Sequence, residues 1–375
     1  MRQIVIATDS FKGSLSSSEV AEAFAEGWHE ILPDCNIRKV QVADGGEGTM
    51  EALVETLHGD YVEVEVHDPL HRIIEARYGI VNGTTAVIEM AAASGLPLLT
   101  DQERNPMKTS TYGTGEMIVD ALERGCRNIL LGIGGSATND CGVGMFRALG
   151  YRFLDAKGNE LVGGGEILAR IATIDDSNRA QALDECRFIV ACDVTNPLYG
   201  KQGAAYIFAP QKGADATMVE ALERGLRNFA EVVKRHNGAD IGETEGAGAA
   251  GGLGGGIMAL LDGRLERGVE LVLREMAFDS IIADCDVVIT GEGRLDYQTV
   301  MGKAPSGVLA AAQRQGIPVI AIGGAVEWCD ELRSSGFVAI ECVTPEGMAK
   351  KEAMTSVTAK ENVRNAARRI AQRYL

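Results

Sequence analysis

NILLGIGGSATNDCGVGMFRALG, residues 128–150, places a strand, a glycine loop and a helix start in immediate succession. Ile129, Leu130 and Leu131 read as a short buried strand, and Gly132, Gly134, Gly135 and Ser136 as the loop after it. Thr138, Asn139 and Asp140 are residue types that cap helix N-termini. A short helix is expected to run from there through Phe146 and Leu149, with Gly150 past its end. Glycines let backbone N–H groups approach a ligand closely, and the start of a helix carries partial positive charge. The stretch therefore predicts an anion site, with phosphate as the expected ligand.

A dinucleotide reading competes for the same residues. Gly132, Gly134 and Ala137 fit the relaxed G-x-G-x-x-G/A pattern, and Asp155 stands where a ribose-binding acid is expected. This predicts an NAD-dependent dehydrogenase. Against it, the helix is short, and the chain does not begin its βαβ pattern here. A non-catalytic two-lobed small-molecule binding protein is the third reading.

The composition narrows the field. The chain has 375 residues, of which 46% are hydrophobic and 24% charged, which is ordinary for globular proteins, and its length favours two domains. A net charge of −17 excludes a nucleic-acid backbone as the expected partner. An anionic substrate needs local Lys, Arg, backbone amides or a metal to offset that field. The eight Cys form no C-x-x-C pair and read as buried free thiols in a reducing cytoplasm. No signal peptide and no membrane-length apolar run is evident. A second copy of the chain is a candidate partner.

Working outward, the ends of the chain alternate strand and helix. Gln3 to Asp9 and Asn36 to Val42 read as strands, and Ser16 with Glu19 forms a capping box between them. From Ile281 the pattern resumes, with strands expected at 287–290, 317–322 and 337–343 and helices at 306–315 and 359–374. Between the two ends, residues 61–66, 73–81 and 85–90 read as strands of an antiparallel meander turned at Asn82-Gly83. Helices are expected at 114–124 and 220–236. The fold class expected is α/β in two domains. Residues 1–50 and 281–375 are expected to form one doubly wound domain built from both termini. Residues 51–280 form an inserted mixed α/β domain. The glycine run 246–256, GAGAAGGLGGG, reads as a structured loop or a tight helix crossing.

The chemistry-bearing residues follow strands, where ligands bind in such sheets. Asp9, Ser10 and Lys12 follow the first strand, and Asp44 the second. Asp193 follows FIVAC, with Thr195, Asn196 and Pro197 behind it, as a metal ligand or general base or as an Asx turn. Glu292, Arg294, Asp296 and Lys303 crowd one strand-to-helix connection. Neither a Walker A motif nor the protein-kinase set is present, and Ser136 lacks a hydrolase setting.

Taken together, the motifs resemble the bacterial glycerate kinase family. DSFKGSLS at 9–16, ADGGEGT at 43–49, IEMAAASGL at 88–96 and GIGGSATND at 132–140 carry the resemblance. CDVTNPL at 192–198, GAGAAGGLG at 246–254 and TGEGRLDYQT…GK at 290–303 complete it. Cys141, where members of the family often carry Gly, departs from the pattern. The resemblance implies ATP-dependent phosphorylation of D-glycerate, giving 2-phosphoglycerate, with ATP and Mg²⁺ as cofactors. It also implies that the domain built from both termini is flavodoxin-like and that the site lies in the cleft between the two domains. Onto that chemistry Lys12, Asp193 and Arg294 map as catalytic residues, with Asp193 as the base. Asp9, Ser10, Asp44 and Asp296 map as substrate-binding. Gly134, Gly135, Ser136, Thr138, Asn139, Gly251, Gly252, Gly254 and Lys303 map to nucleotide phosphates. Asp44, Asp193 and Glu292 map to the metal.

Overall fold

A computed structural model describes residues 2–374. The strands in chain order are β1 (Gln3–Thr8), β2 (Asn36–Gln41), β3 (Asp60–His67), β4 (Ile73–Val81), β5 (Thr85–Glu89), β6 (Asn128–Gly132), β7 (Arg152–Leu154), β8 (Thr173–Asp175), β9 (Arg187–Ala191), β10 (Arg264–Glu266), β11 (Val287–Leu295), β12 (Val319–Val326) and β13 (Ala339–Cys342). The principal helices are α1 (Ser17–His29), α2 (Thr49–Leu57), α3 (Tyr112–Glu123), α4 (Val143–Ala148), α5 (Ala216–Asn237), α6 (Ala249–Leu260), α7 (Ala304–Arg314) and α8 (Ser356–Tyr374). Two compact units divide the chain. One joins the residues up to Asp44 with those from Val269 onward, and the other is Gly45–Gly268.

The first unit holds a five-stranded sheet in the order β13-β12-β11-β1-β2, with every pairing parallel. Counted within the unit this is the 2-1-3-4-5 order of flavodoxin-like folds, and its switch point lies between β1 and β11. β1, β11 and β12 contain runs of apolar residues because helices cover them, whereas the edge strand β2 carries Arg38 and Lys39. Ile4, Ile6, Ile289, Ile320 and Ile322 are buried together with Phe24 and Trp28 of α1 and Val363 and Ile370 of α8. Each such side chain contributes about 1.5–3 kcal/mol on full burial. The Ser16–Glu19 capping box starts α1 as expected. The two helices cross at Gly27, where a Cβ would stand 2.2 Å from the Arg364 carbonyl oxygen.

The second unit holds a mixed six-stranded sheet, β10-β9-β6-β5-β4-β3, parallel from β10 to β5 and antiparallel beyond. Asn82 and Gly83 turn the β4–β5 hairpin with φ of 52° and 71°, the positive values of a type I′ turn. Ile88, Ile129, Leu131, Val190, Phe146 and Phe229 belong to its core.

Three local expectations are corrected. First, the connection after β11 is not a loop at Glu292 and Arg294. The strand continues through Leu295, pairing Arg294 with Ala325 and Leu295 with Val326. The glycines that read as a turn are strand residues here, because a Cβ at Gly291 would stand 2.3 Å from the Ile322 carbonyl oxygen. Second, α4 begins later than Thr138–Asp140. Its N-cap is Gly142 at φ 81°, and Asp140 serves it by accepting from the amides of Gly142 and Gly144. Third, the glycine run enters a helix that breaks at its start, at Ala250, Gly251 and Gly252, all at positive φ.

Candidate functional site

In the first unit the switch point opens into a cavity of about 840 Å³. Asp9, Ser10, Lys12, Asp44, Glu292, Arg294, Asp296 and Lys303 all line it. The fold brings them together because parallel strands end on one edge of a sheet. Asp9 leaves β1 with its amide bonded to the Gly291 carbonyl at 2.9 Å, which sets it beside Glu292 of β11. Asp44 follows β2, and Gly324, Ala325 and Val326 continue the wall from β12.

The carboxylates of this cavity are crowded and dry. Asp9 is only 6% exposed, and burial, aided by the charge of Asp44, raises its pKa to about 6. Its Oδ1 accepts from the Ser10 amide at 2.6 Å. Burial also raises Glu292. Glu292 Oε1 accepts from Thr299 Oγ1 at 2.7 Å, and Oε2 pairs with Lys303 Nζ at 3.1 Å. Asp296 is the cap of the turn at Tyr297–Met301, accepting from the Gln298 amide at 2.9 Å. Arg294 pairs with Glu327 and lies 3.5 Å from Asp296, its side chain largely exposed. This set can hold a polyanion and a hard cation. Lys12, Arg294 and Lys303 supply positive charge, and the buried acids supply oxygen ligands.

The second unit carries the other predicted residues. Glu89, Gly132 and Ala191 are register partners across β5, β6 and β9, so those strands end in one row. The loop 45–48 crosses this row. A Cβ at Gly45 would stand 2.7 Å from Ala191 Cβ, and one at Gly132 would stand 3.0 Å from the Gly45 carbonyl oxygen. Asp193 follows β9, and its Oδ1 accepts from the Gly268 amide at 3.0 Å. Gly134 and Gly135 are exposed, whereas Ser136, Thr138 and Asn139 are buried.

The glycine run packs behind this loop. A Cβ at Gly251 would stand 2.2 Å from the Thr138 carbonyl oxygen, one at Gly252 2.6 Å from Cys141 Sγ, and one at Gly254 2.6 Å from the Gly246 carbonyl oxygen. The Cys141 amide donates to the Gly251 carbonyl at 3.1 Å. These glycines meet protein and shape the loop from behind. Cys141 sits at φ 53°, a conformation that favours glycine.

The dinucleotide reading loses its acid. Asp155 stands in a tight turn closed by the Leu154–Glu160 bridge, accepting from the amides of Lys157 and Asn159. Its strand β7 pairs with β8 in a separate two-stranded sheet, not in the sheet that ends in the glycine loop.

Two residues of this unit were missed in the sequence. Glu89 accepts from the Met50 amide at 2.9 Å, and burial raises its pKa to about 7. An acid directly after an apolar strand was the available signal, the one that singled out Asp193. Lys212 donates from Nζ to Ser136 Oγ and to the Thr138 carbonyl, both at 2.7 Å. Nothing local in the sequence marks its burial. Among the described residues no cluster of three or more His, Cys, Asp or Glu gathers at metal-binding distance. No helix among them is long and apolar enough to cross a membrane.

The fold and the cavity define a mixed α/β protein with a charged ligand site at the switch point of a parallel sheet. Residues 4–375 match the model of the glycerate kinase family, and the chain belongs to that family. It is 49% identical over 325 residues to a glycerate 2-kinase of Escherichia coli (strain K12), covering 86% of this chain and 85% of that one. It is 46% identical over 356 residues to a glycerate kinase of Halalkalibacterium halodurans, covering 94% of each. A crystal structure from Salmonella typhimurium LT2, provisionally described as glycerate kinase 2, superposes with a TM-score of 0.90 at 46% identity. It covers 99% of this chain and 97% of that one.

Proposed function

We propose that this protein transfers the terminal phosphoryl group of ATP to O2 of D-glycerate, giving 2-phosphoglycerate and ADP. The observation that carries the reading is the switch-point cavity, where Lys12, Arg294 and Lys303 stand among Asp9, Asp44 and Glu292. Family membership and the similarity to a named glycerate 2-kinase support the substrate and the position of transfer.

Phosphoryl transfer asks the protein mainly for positioning and for charge opposite the moving group. Lys12 and Arg294 are assigned to that charge and to the substrate carboxylate. Asp193 is assigned to accept the proton of the attacking hydroxyl. Asp9, Ser10 and Asp296 are assigned to orient the substrate, Lys303 to the nucleotide phosphates. The exposed amides of Gly134 and Gly135, with Ser136, form a second phosphate contact, shaped from behind by Thr138, Asn139, Gly251, Gly252 and Gly254. A divalent cation suits the donor set of the cavity, which gathers several acids in one place, where burial first and the charge of Asp44 second raise Asp9. Mg²⁺ needs only one or two carboxylates, and Asp44 and Glu292 are the residues of the cavity that would hold it. When bound it supplies neutralisation of phosphate charge.

The enzyme is expected to reside in the cytoplasm and to act on small molecules. The test is incubation with ATP, D-glycerate and Mg²⁺, with the product read by phosphorus NMR. A 2-phosphoglycerate signal is expected. A 3-phosphoglycerate signal overturns the position of transfer, and no product at millimolar substrates overturns the reaction.

A further inference from the structure

Lys212 is 2% exposed and has no carboxylate partner. Two of its three N–H donors are used, on Ser136 Oγ and on the Thr138 carbonyl. A buried ammonium without an ion pair costs a protein several kcal/mol, so such a residue calls for an explanation beyond packing. The nearest acid that acts on it is Asp140, which is itself fully committed elsewhere. Asp140 accepts from the Thr111 amide and hydroxyl and from the amides of Gly142 and Gly144.

The same loop holds further unspent polar groups. Thr138 Oγ1 and both polar atoms of the Asn139 carboxamide are buried without a protein partner. Both residues are 0% exposed. Because Ser136 Oγ accepts from Lys212, its own hydroxyl proton is directed away from the ammonium. It lies beside the exposed backbone of Gly134 and Gly135. A cation, a relaying hydroxyl and open glycine amides are the parts of an anion subsite.

We propose that Lys212 is the positioning cation of a phosphate subsite on residues 134–136, acting on a nucleotide's phosphoryl oxygens through the hydroxyl of Ser136. The inference rests on the kinase reading and assigns its glycine loop to the nucleotide rather than to the carboxylate of glycerate. Burial lowers the pKa of Lys212 to about 7, with Asp140 the titratable group that opposes the shift. An arriving anion favours the ammonium. Binding therefore takes up a proton, and affinity falls as pH rises above about 7.

The test is calorimetric titration of the full-length protein with ADP and, separately, with D-glycerate. It is run at pH 7.5 and 9.5, where the phosphates of ADP are ionised throughout, for wild type, Lys212→Met and Ser136→Ala. Wild type is expected to lose about tenfold in ADP affinity across that range. Lys212→Met is expected to bind ADP about tenfold more weakly at pH 7.5 and to show little change up to pH 9.5, with a melting temperature no lower than wild type. A purely structural lysine would instead lower the melting temperature and leave the pH slope of binding in place. Wild-type ADP affinity and slope in Lys212→Met overturn the proposal, and so does a loss confined to D-glycerate. If Lys212→Met does not fold, Ser136→Ala decides: about tenfold weaker ADP binding supports the relay, and unchanged binding overturns it. A wild-type protein that binds no ADP and turns over no ATP with D-glycerate fails the kinase reading itself, a different result from a wild-type enzyme that an altered Lys212 leaves intact.

Discussion

The Asp9 amide donates to the Gly291 carbonyl at 2.9 Å, and Glu292 is the next residue along. That bond continues the β1–β11 ladder by one step beyond Thr8. Two acids from opposite ends of the chain thus share the edge of one sheet, and the charge of Glu292 adds to the elevation of Asp9.

Asp9→Asn should therefore stabilise the protein in base. The folded state holds Asp9 at about 6, above the roughly 3.9 of an unfolded aspartate, so folding favours the protonated form. The ionised form carries a cost of about 3 kcal/mol that is absent at pH 4 and fully present above pH 7. Melting temperatures at pH 4, 6 and 8 check this. The variant should match wild type at pH 4 and exceed it at pH 8, and equal curves at pH 8 would refute the argument. Its turnover should fall by about 10² if Asp9 orients the substrate.

Glu292 and Lys303 should not be equivalent partners. Lys303→Met leaves a buried carboxylate with only Thr299 to hold it and should cost about 1–3 kcal/mol at pH 8. Glu292→Gln leaves a lysine whose side chain is about a third exposed and should cost less. Urea unfolding of the two variants gives the comparison.

Replacing Asp193 with Asn should lower kcat by about 10² or more if it is the base, with a smaller change in KM. The Gly268 amide bond to Oδ1 can persist in the variant, so folding should be retained. Near-wild-type turnover in a folded variant removes Asp193 from the role.

Gly251→Ala should be strongly damaging. Its φ of 70° is strained for alanine, and the new Cβ would stand 2.2 Å from the Thr138 carbonyl oxygen. A loss of about 2–4 kcal/mol is expected from overpacking and strain together. Gly158→Ala, where a Cβ meets nothing within 4 Å, is the control for the cost of positive φ alone. Chemical denaturation of both variants separates clash from strain.

Much of the architecture could be read from the chain. The apolar runs at β1, β6 and β9, the Ser16–Glu19 box and the Asn82-Gly83 turn are local signals, and the structure places an element at each. The end of β11 was not legible, because a ladder partner 31 residues away, not the Gly-Glu-Gly sequence, decides that the chain stays extended. The gathering of Asp9, Asp44, Glu292 and Lys303 was suggested only by the rule that strand ends carry ligands, which depends on topology.

Lys212 marks the boundary between the two kinds of knowledge. The order of strands and helices, the residue types at their ends and the family follow from the sequence, since periodicity, caps and motifs act over a few residues. The burial of a lysine against Ser136, 76 positions away, follows from which surfaces meet. The same holds for the pressing of Gly251 onto Thr138 and the raised pKa values of Asp9 and Glu89. Those properties depend on water being excluded from particular groups, and exclusion of water is settled only when distant parts of the chain pack together.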